Sequence, residues 1–472
     1  VGRVALTEKK RILESILIEW IQYRRLRRFV PDIRCVVAYV SFTFCVVQAE
    51  PQELTPGSGN DATSVIAWED ASGDGLATAK FNDLLPQSGY VKDISDSRPW
   101  IQDFLNHRSP IQIGVTLEAY HDDNPFLIRP GQEEEDFTWE LLPRITYESS
   151  RPEAGKQHFL ALGYDPEILR YQTFHILDAF NHRGFGEYRF KSAKVESVIA
   201  HRSAEFSESS GEFEDALIDE ASADLGRRRR GDRHISTLAT DFQVSKKSRL
   251  EVKALRLARN FDLPTIADSE EWEGAGFLMH SVAPKTELGM GVRIGQVAID
   301  RAPDQLYEAV LGRAVWQVSP KLSFDLAAGV DFRRFEGPLA AGNRDTPIFE
   351  AGLIWHPLKQ TQVSLKGFRD VRYSVTGHSV IRTGIRAGFR QRLGDRANYS
   401  FGGMINSRDY QPTTISGLVG REDEFLSLIH RIDYKLGDRG EIGVFHEYRR
   451  DESNTVFGFE RGLTGVRASY GF

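Results

Sequence analysis

The sequence predicts an all-β fold: a transmembrane antiparallel up-and-down β-barrel of about 18 strands, with 16 as the nearest alternative. Three observations predict it. Stretches of about 10–15 residues alternate between apolar and polar from about Ile111 to the end of the chain. Short polar turns alternate with longer loops over the same region. The last stretch, Gly462-Leu-Thr-Gly-Val-Arg-Ala-Ser-Tyr-Gly-Phe472, keeps an apolar face to its final residue, where chain ends are ordinarily polar and frayed.

Ahead of the alternating region the chain divides twice. Arg24, Arg25, Arg27, Arg28 and Arg34 precede an apolar run from Cys35 to Val47, and Val47-Gln48-Ala49 follows. A basic stretch, a short apolar core and a small residue at the end predict a secretory signal peptide over residues 1–49, cleaved after Ala49. It carries an N-terminal extension whose true start the sequence leaves open. The competing reading is a buried helix of a soluble domain. Both cysteines, Cys35 and Cys45, lie in this segment, so the remainder can form no disulfide. Residues 1–49 hold nine Lys/Arg and four Asp/Glu; the remainder has 51 basic and 63 acidic residues, a net of −12. That balance disfavours nucleic acid as a partner. Residues 50–109 are rich in Gly, Ser, Asp and Pro and read as a weakly structured periplasmic leader with one short helix at Trp100–His107.

The barrel is expected over residues 110–472. Strands are expected near 110–120, 136–149, 156–171, 181–191, 194–205, 232–244, 248–260, 271–283, 286–299, 305–318, 322–335, 347–357, 361–374, 379–392, 396–410, 422–435, 440–451 and 458–472. In Leu322–Phe332, Leu, Phe, Leu, Ala, Val and Phe alternate with Ser, Asp, Ala, Gly and Asp; in Ile381–Gln391, Arg382, Gly384, Arg386, Gly388 and Arg390 share one face. Ala254–Leu257 slips by one residue, as a bulge would. Short turns fall near Lys246, Lys285, Lys321, Lys359, Asp395 and Asp438, with Leu-Gly-Asp-Arg at 393–396 and again at 436–439. Longer loops fall near 121–135, 206–231, 261–270, 337–346 and 412–421. A soluble sandwich has strands nearer 5–6 residues and no reason for one-sided loop lengths. An even strand number puts both ends of the barrel on the periplasmic side.

In the closing strand Thr464, Val466, Ala468, Tyr470 and Phe472 share a face that is expected to meet lipid, with Tyr470 and Phe472 at the interface. Gly465, Arg467, Ser469 and Gly471 face the lumen. A terminal Phe behind alternating apolar residues resembles the signal by which bacterial outer-membrane barrels are recognised for assembly.

The words Gly114-Val-Thr-Leu-Glu-Ala-Tyr-His-Asp-Asp-Asn-Pro-Phe126, Glu135-Asp-Phe, Leu142-Pro-Arg-Ile-Thr-Tyr147 and Leu162-Gly-Tyr164 resemble the β-barrel porin 2 family of bacterial outer-membrane proteins. Asp123-Asn124, Pro143–Tyr147 and Tyr164 match its early strands. The likeness extends over about 110–472, with recognisable words only in 114–200. It implies an outer-membrane barrel, in some members encoded beside exopolysaccharide genes, and implies no catalytic residues.

Each candidate for chemistry has a plainer reading. Arg382, Arg386, Arg390 and Arg467, with Arg333, Arg372, Arg408 and Arg449, would make a cationic lumen stripe. The plainer reading, favoured by the acidic balance, pairs them with Asp325, Asp331, Asp370, Glu441 and Glu447. Arg227–Arg230 follows an acidic run in which Phe213, Leu217, Ala221 and Leu225 recur at helical spacing. This is a phosphate or anionic-glycan contact, or a self-neutralising outer loop. Asp122-Asp123-Asn124 could offer oxygens to Ca²⁺ but reads as a polar turn. Gly289-x-Gly-x-x-x-Gly295 lies in a strand and reads as easing barrel curvature, not as a dinucleotide loop. His446-Glu447 has no second His at zincin spacing. His175, Asp178, Asn181 and His182 form the only cluster that could serve a barrel hydrolase.

No catalytic, cofactor or metal site is assigned, and the chain is not read as an enzyme. The expected function is a channel for small solutes or for polysaccharide passage or export across the bacterial outer membrane. A plugged docking barrel is the alternative, and a barrel hydrolase the remote third. The expected partners are outer-membrane lipid and lipopolysaccharide, the barrel-assembly machinery, and exopolysaccharide or its export proteins.

Overall fold

The structure, a computed structural model, describes residues 110–149, 157–207, 230–263, 266–337, 340–374, 376–414, 420–455 and 458–472. The expected signal peptide, the leader with its Trp100–His107 helix, and the helical spacing around Phe213–Leu225 lie outside the described residues. So do Arg227, Arg228 and Arg229.

Twenty strand segments follow in chain order. They are β1 (Ile111–Asp122), β2 (Asp136–Glu148), β3 (His158–Tyr164), β4 (Glu167–Tyr171), β5 (Ala179–Asn181), β6 (Arg183–Lys191), β7 (Val195–Ser207), β8 (Arg230–Gln243), β9 (Ser248–Phe261) and β10 (Ser269–Ala283). Then come β11 (Thr286–Ile299), β12 (Asp304–Ser319), β13 (Leu322–Glu336), β14 (Arg344–Trp355), β15 (Thr361–Tyr373), β16 (Ser379–Leu393), β17 (Ala397–Gln411), β18 (Glu422–Leu436), β19 (Gly440–Ser453) and β20 (Phe459–Gly471). Among the described residues there is no α-helix, only a 3-10 turn at His175–Leu177.

Eighteen staves result, because two are interrupted. β3 and β4 pair with β2 in one continuous register, Tyr164 opposite Ile145 and Tyr171 opposite Thr138. The gap between them holds Asp165 and Pro166. Proline has no N–H to give a ladder, so the stave breaks there, and its neighbour breaks opposite it between β5 and β6. Every pairing is antiparallel and sequential, and β20 returns to β1 with Gly471 opposite Gly114 and Leu463 opposite Asp122. Closure leaves no edge strand, the condition for strands to cross a bilayer, although β14 and β15 part above Phe349–Arg369 at the loop end.

One end carries tight connections. Both Leu-Gly-Asp-Arg turns sit there, with Gly394 at φ +69° and Gly437 at φ +73°, a left-handed geometry that glycine adopts at no steric cost. The other end carries the longer connections 122–136, 207–230, 261–269, 336–344 and 411–422, together with shorter ones at 299–304 and 373–379.

The expected slip at Ala254–Leu257 is absent: β9 keeps an unbroken register with both neighbours. Leu255 and Leu257 point inward and pack with Ile235. Their apolar character on the polar face imitated a bulge. The real irregularities lie beside turns, at Ser281/Ala283 and Gln317/Ser319.

The two faces are inverted relative to a soluble protein. Leu278, Met290, Val292, Ile294, Val310, Ile385, Ile405, Val444 and Val466 are exposed on the outer wall. Glu251, Arg313, Asp331, Arg408, Asp451 and Arg461 are buried on the inner one. Ion pairs inside and hydrocarbon outside are what a lipid-facing barrel requires. Aromatic pairs such as Trp316–Phe324 and Tyr470–Phe472 stand near the tight-turn end of the outer wall.

Candidate functional site

The inner wall carries chains of charge. Along β9–β13, Arg249 bridges Glu251 and Glu287, and Arg313 reaches Glu251 at 2.6 Å and Asp325 at 2.7 Å. Further toward the loop end, Arg293 meets Asp331 at 3.3 Å, and Arg333 spans Asp331, Gln305 Oε1 at 2.9 Å and the Val371 carbonyl. Alternation places each group inward, and a reach of two or three staves lets a guanidinium touch a carboxylate beyond its nearest neighbour. The Tyr307 hydroxyl lies 2.8 Å from both Glu271 and Glu273.

Gly289, Gly291 and Gly295 are inward positions of β11. A Cβ at these sites would meet Met279 Sδ at 2.2 Å, Phe277 at 2.5 Å and Tyr307 at 2.3 Å respectively. The glycines make room for large inward side chains of β10 and β12.

Two features narrow the lumen near the loop end. Tyr373, at the end of β15, is five segments from β10 yet receives the Ser269 hydroxyl at 3.3 Å, and the Arg259 guanidinium lies 5.2 Å from its ring. Between these walls Phe277, Met279, Leu311, Val315, Ile348 and Val371 form an apolar core inside the barrel. The second feature is the loop after β1. Leu127, at φ +54°, is buried among Phe368, Met404, Phe425 and Phe459, inward residues of β15, β17, β18 and β20. Asn124 holds this turn: its Nδ2 donates to the carbonyls of Ile128 at 2.8 Å and Glu460 at 2.7 Å, and its Oδ1 accepts the Ile128 N–H at 3.0 Å. The loop therefore bends into the barrel instead of standing above it.

The residues singled out from sequence fall as follows. Arg382, Arg386 and Arg390 lie on the inner side of β16, opposite Asp370, Lys366 and Gln362 of β15. Arg382 makes a two-point contact with Asp370, at 2.9 and 2.7 Å, which Arg372 shares at 3.2 Å. Arg386 Nη2 lies 3.6 Å from Met404 Sδ. Arg467 is buried, with Nε 3.8 Å from Glu118, and Arg408 pairs with Asp451 at 3.2 Å. Tyr470 and Phe472 are on the outer wall, and the Phe472 N–H donates to Ile113.

In Asp122-Asp123-Asn124, Arg461 holds both Asp122 oxygens, and Asp123 Oδ1 accepts the Gly462 N–H at 2.6 Å. Of His175, Asp178, Asn181 and His182, the first two approach each other, Nδ1 to Oδ2 at 3.7 Å, and the other two turn elsewhere. Asn181 is buried against Glu167 and Ser207, while His182 is exposed and meets Tyr164. Asp178 accepts the Tyr171 N–H. Arg230, the described member of the arginine run, braces the 3-10 turn through the carbonyls of Ile176 and Asp178.

Leu127, Tyr373 and the nest of Phe368, Met404 and Phe425 were not picked out from sequence. For Phe368, Met404 and Phe425 the available signal was a large apolar side chain at lumen parity, which a wholly aqueous pore would keep polar; Tyr373 stands at the opposite parity, beyond the point where β15 leaves β14 at Arg369, and Leu127 lies in a loop.

No family model matches the chain, and no curated protein does. Solved structures of similar strand arrangement include the FrpB iron transporter from Neisseria meningitidis (F3-3 variant), at 8% identity over 79% of this chain and 83% of that one, TM-score 0.44. Pseudomonas aeruginosa OccK2 (OpdF) matches at 10% identity over 77% and 98%, TM-score 0.43, and OccK3 (OpdO) at 10% over 77% and 95%, TM-score 0.40. At these values nothing of those proteins' function passes to this chain.

Proposed function

We propose that this chain is a bacterial outer-membrane barrel that passes small solutes through a narrowed, charge-compensated lumen. The observation that carries the reading is the opposition of the two faces. Hydrocarbon side chains cover the outer wall, and paired Arg and carboxylate side chains line the inner one. Such a wall suits a bilayer, and such a lining suits hydrated solutes. The inward loop at Leu127 and the Tyr373 bridge favour small solutes over a polysaccharide chain, which would need both to move. Export of polysaccharide, with export proteins as partners, is the finer reading that the lumen supports less well. Insertion by the assembly machinery belongs to the same proposal.

A second reading has a specific observation behind it. The apolar nest around Leu127 resembles a seal, which favours a plugged docking barrel. Planar-bilayer recording of the purified protein separates the two: discrete steps support the channel. A wild-type barrel that inserts and stays silent, while a Leu127→Gly variant conducts, supports the plug. Fractionation away from the outer membrane overturns both.

A further inference from the structure

The outer wall is hollow on β10–β13. There, near the loop end, a notch of about 510 Å³ is lined by Trp272, Gly274, Ile294, Leu306, Phe332 and Arg334, with Gln296 in its upper row and the exposed Glu308 in its lower row between Ile294 and Phe332. The register explains it. Trp272, Gln296, Leu306 and Arg334 form one row across the four strands, and Gly274, Ile294, Glu308 and Phe332 form the next. Trp272 and Phe332 stand at opposite ends as walls. Gly274 leaves the space between them open, since a Cβ there would meet only Ile294, at 3.9 Å.

The notch is continuous with the apolar wall. Val292 and Val310 lie in the row below it and are exposed, as are Ile294 and Trp272 within it. Its charged groups are Arg334 in the upper row and Glu308 one row below. Arg334 touches Glu308 only at the limit of ion-pair range, 4.0 Å, with both side chains about 60% exposed. A guanidinium has five N–H donors, so Arg334 retains donors for an anionic oxygen. Arg256 lies 5.4 Å from the Trp272 ring on the other wall.

From this geometry we infer that the notch seats one acyl chain of a phosphate-bearing lipid of the loop-side leaflet, with its phosphate on Arg334. The inference rests on the membrane reading above. A mostly apolar trough, with Glu308 on its β12 side, opening from the lipid-facing wall toward a cation matches a lipid's own order, chain below and phosphate above. Burying methylene groups in a preformed trough holds the chain, and the guanidinium selects the headgroup.

The test uses the full barrel in detergent and in liposomes. Phosphatidylglycerol bearing a diazirine in one acyl chain is added, irradiated, and the labelled peptides are mapped. Label concentrated on the peptides around Trp272 and Phe332 is expected. Gly274→Leu should fill the trough and reduce that label to the level of the surrounding wall. Gly367→Leu, on the outer wall of β15 with no atom within 4 Å of the added Cβ, should leave it unchanged. Arg334→Gln should lower labelling by phosphatidylglycerol and not by the matching diacylglycerol. Uniform label around the wall, or undiminished label in Gly274→Leu, overturns the site; equal labelling of wild type by diacylglycerol overturns the phosphate assignment. A wild-type protein that fails to enter liposomes overturns the membrane reading and the site together.

Discussion

Arg461 of the last strand and Asp122 of the first form a two-point ion pair, Nε to Oδ1 at 3.0 Å and Nη2 to Oδ2 at 2.6 Å, with both side chains buried. It joins residues 339 positions apart and locks the seam that makes the sheet a barrel. A charge left alone in such a place has lost its water and gained nothing.

Arg461→Ala should therefore destabilise the closed barrel by about 3–5 kcal/mol. Replacing both partners, as Arg461→Met with Asp122→Leu, should cost distinctly less. Gel mobility of unheated samples against urea concentration reads both. If the single and double replacements unfold together, the pair is not what holds the seam.

Leu127 should set the width of the conducting path. Truncation to Ala removes most of the side chain from its nest of Phe368, Met404, Phe425 and Phe459. Single-channel conductance is expected to rise or become noisier, with barrel stability falling by about 2–5 kcal/mol at most. Unaltered conductance would show that solutes pass elsewhere.

Phe472→Asp should block insertion, while Arg467→Ala should insert and change at most the ion preference. Phe472 is 65% exposed on the outer wall, and Arg467 is 8% exposed on the inner one. A charge on the lipid face costs roughly 0–4 kcal/mol depending on depth. At the rim the energetic loss is small, and failed recognition by the assembly machinery is expected to dominate. Outer-membrane yield in cells measures this. The opposite pattern would mean the faces of the strand are reversed.

Gly295→Val should be damaging and Gly367→Val nearly neutral, although both are strand glycines. The added carbon at 295 collides with the Tyr307 ring at 2.3 Å, whereas at 367 it meets nothing within 4 Å. Displacing Tyr307 also disturbs its contacts with Glu271 and Glu273. Thermal unfolding midpoints of the two variants provide the comparison, and equal midpoints would remove the packing role assigned to Gly295.

The residue pattern by itself determined the strands, their number, the faces of the closing strand and the end that carries the tight turns. A period of two records which side of a sheet each residue occupies, and glycine and proline record where the chain turns. The strand expected at 156–171 ran through Pro166 without a break; the structure divides it into β3 and β4 with the register kept, the consequence of one missing N–H. The spacing that put Arg382, Arg386 and Arg390 on one face could not say that Arg382 is committed to Asp370. Such partners lie on another strand, and their distance is set by register. Leu255 and Leu257 misled because parity assigns a face without saying whether that face is wet. Only tertiary structure decided that parts of the lumen are apolar, that Leu127 folds into it, and that Tyr373 spans from β15 to β10. These are contacts between segments remote in sequence, fixed by closure of the sheet and curvature of the wall, and no local pattern encodes them.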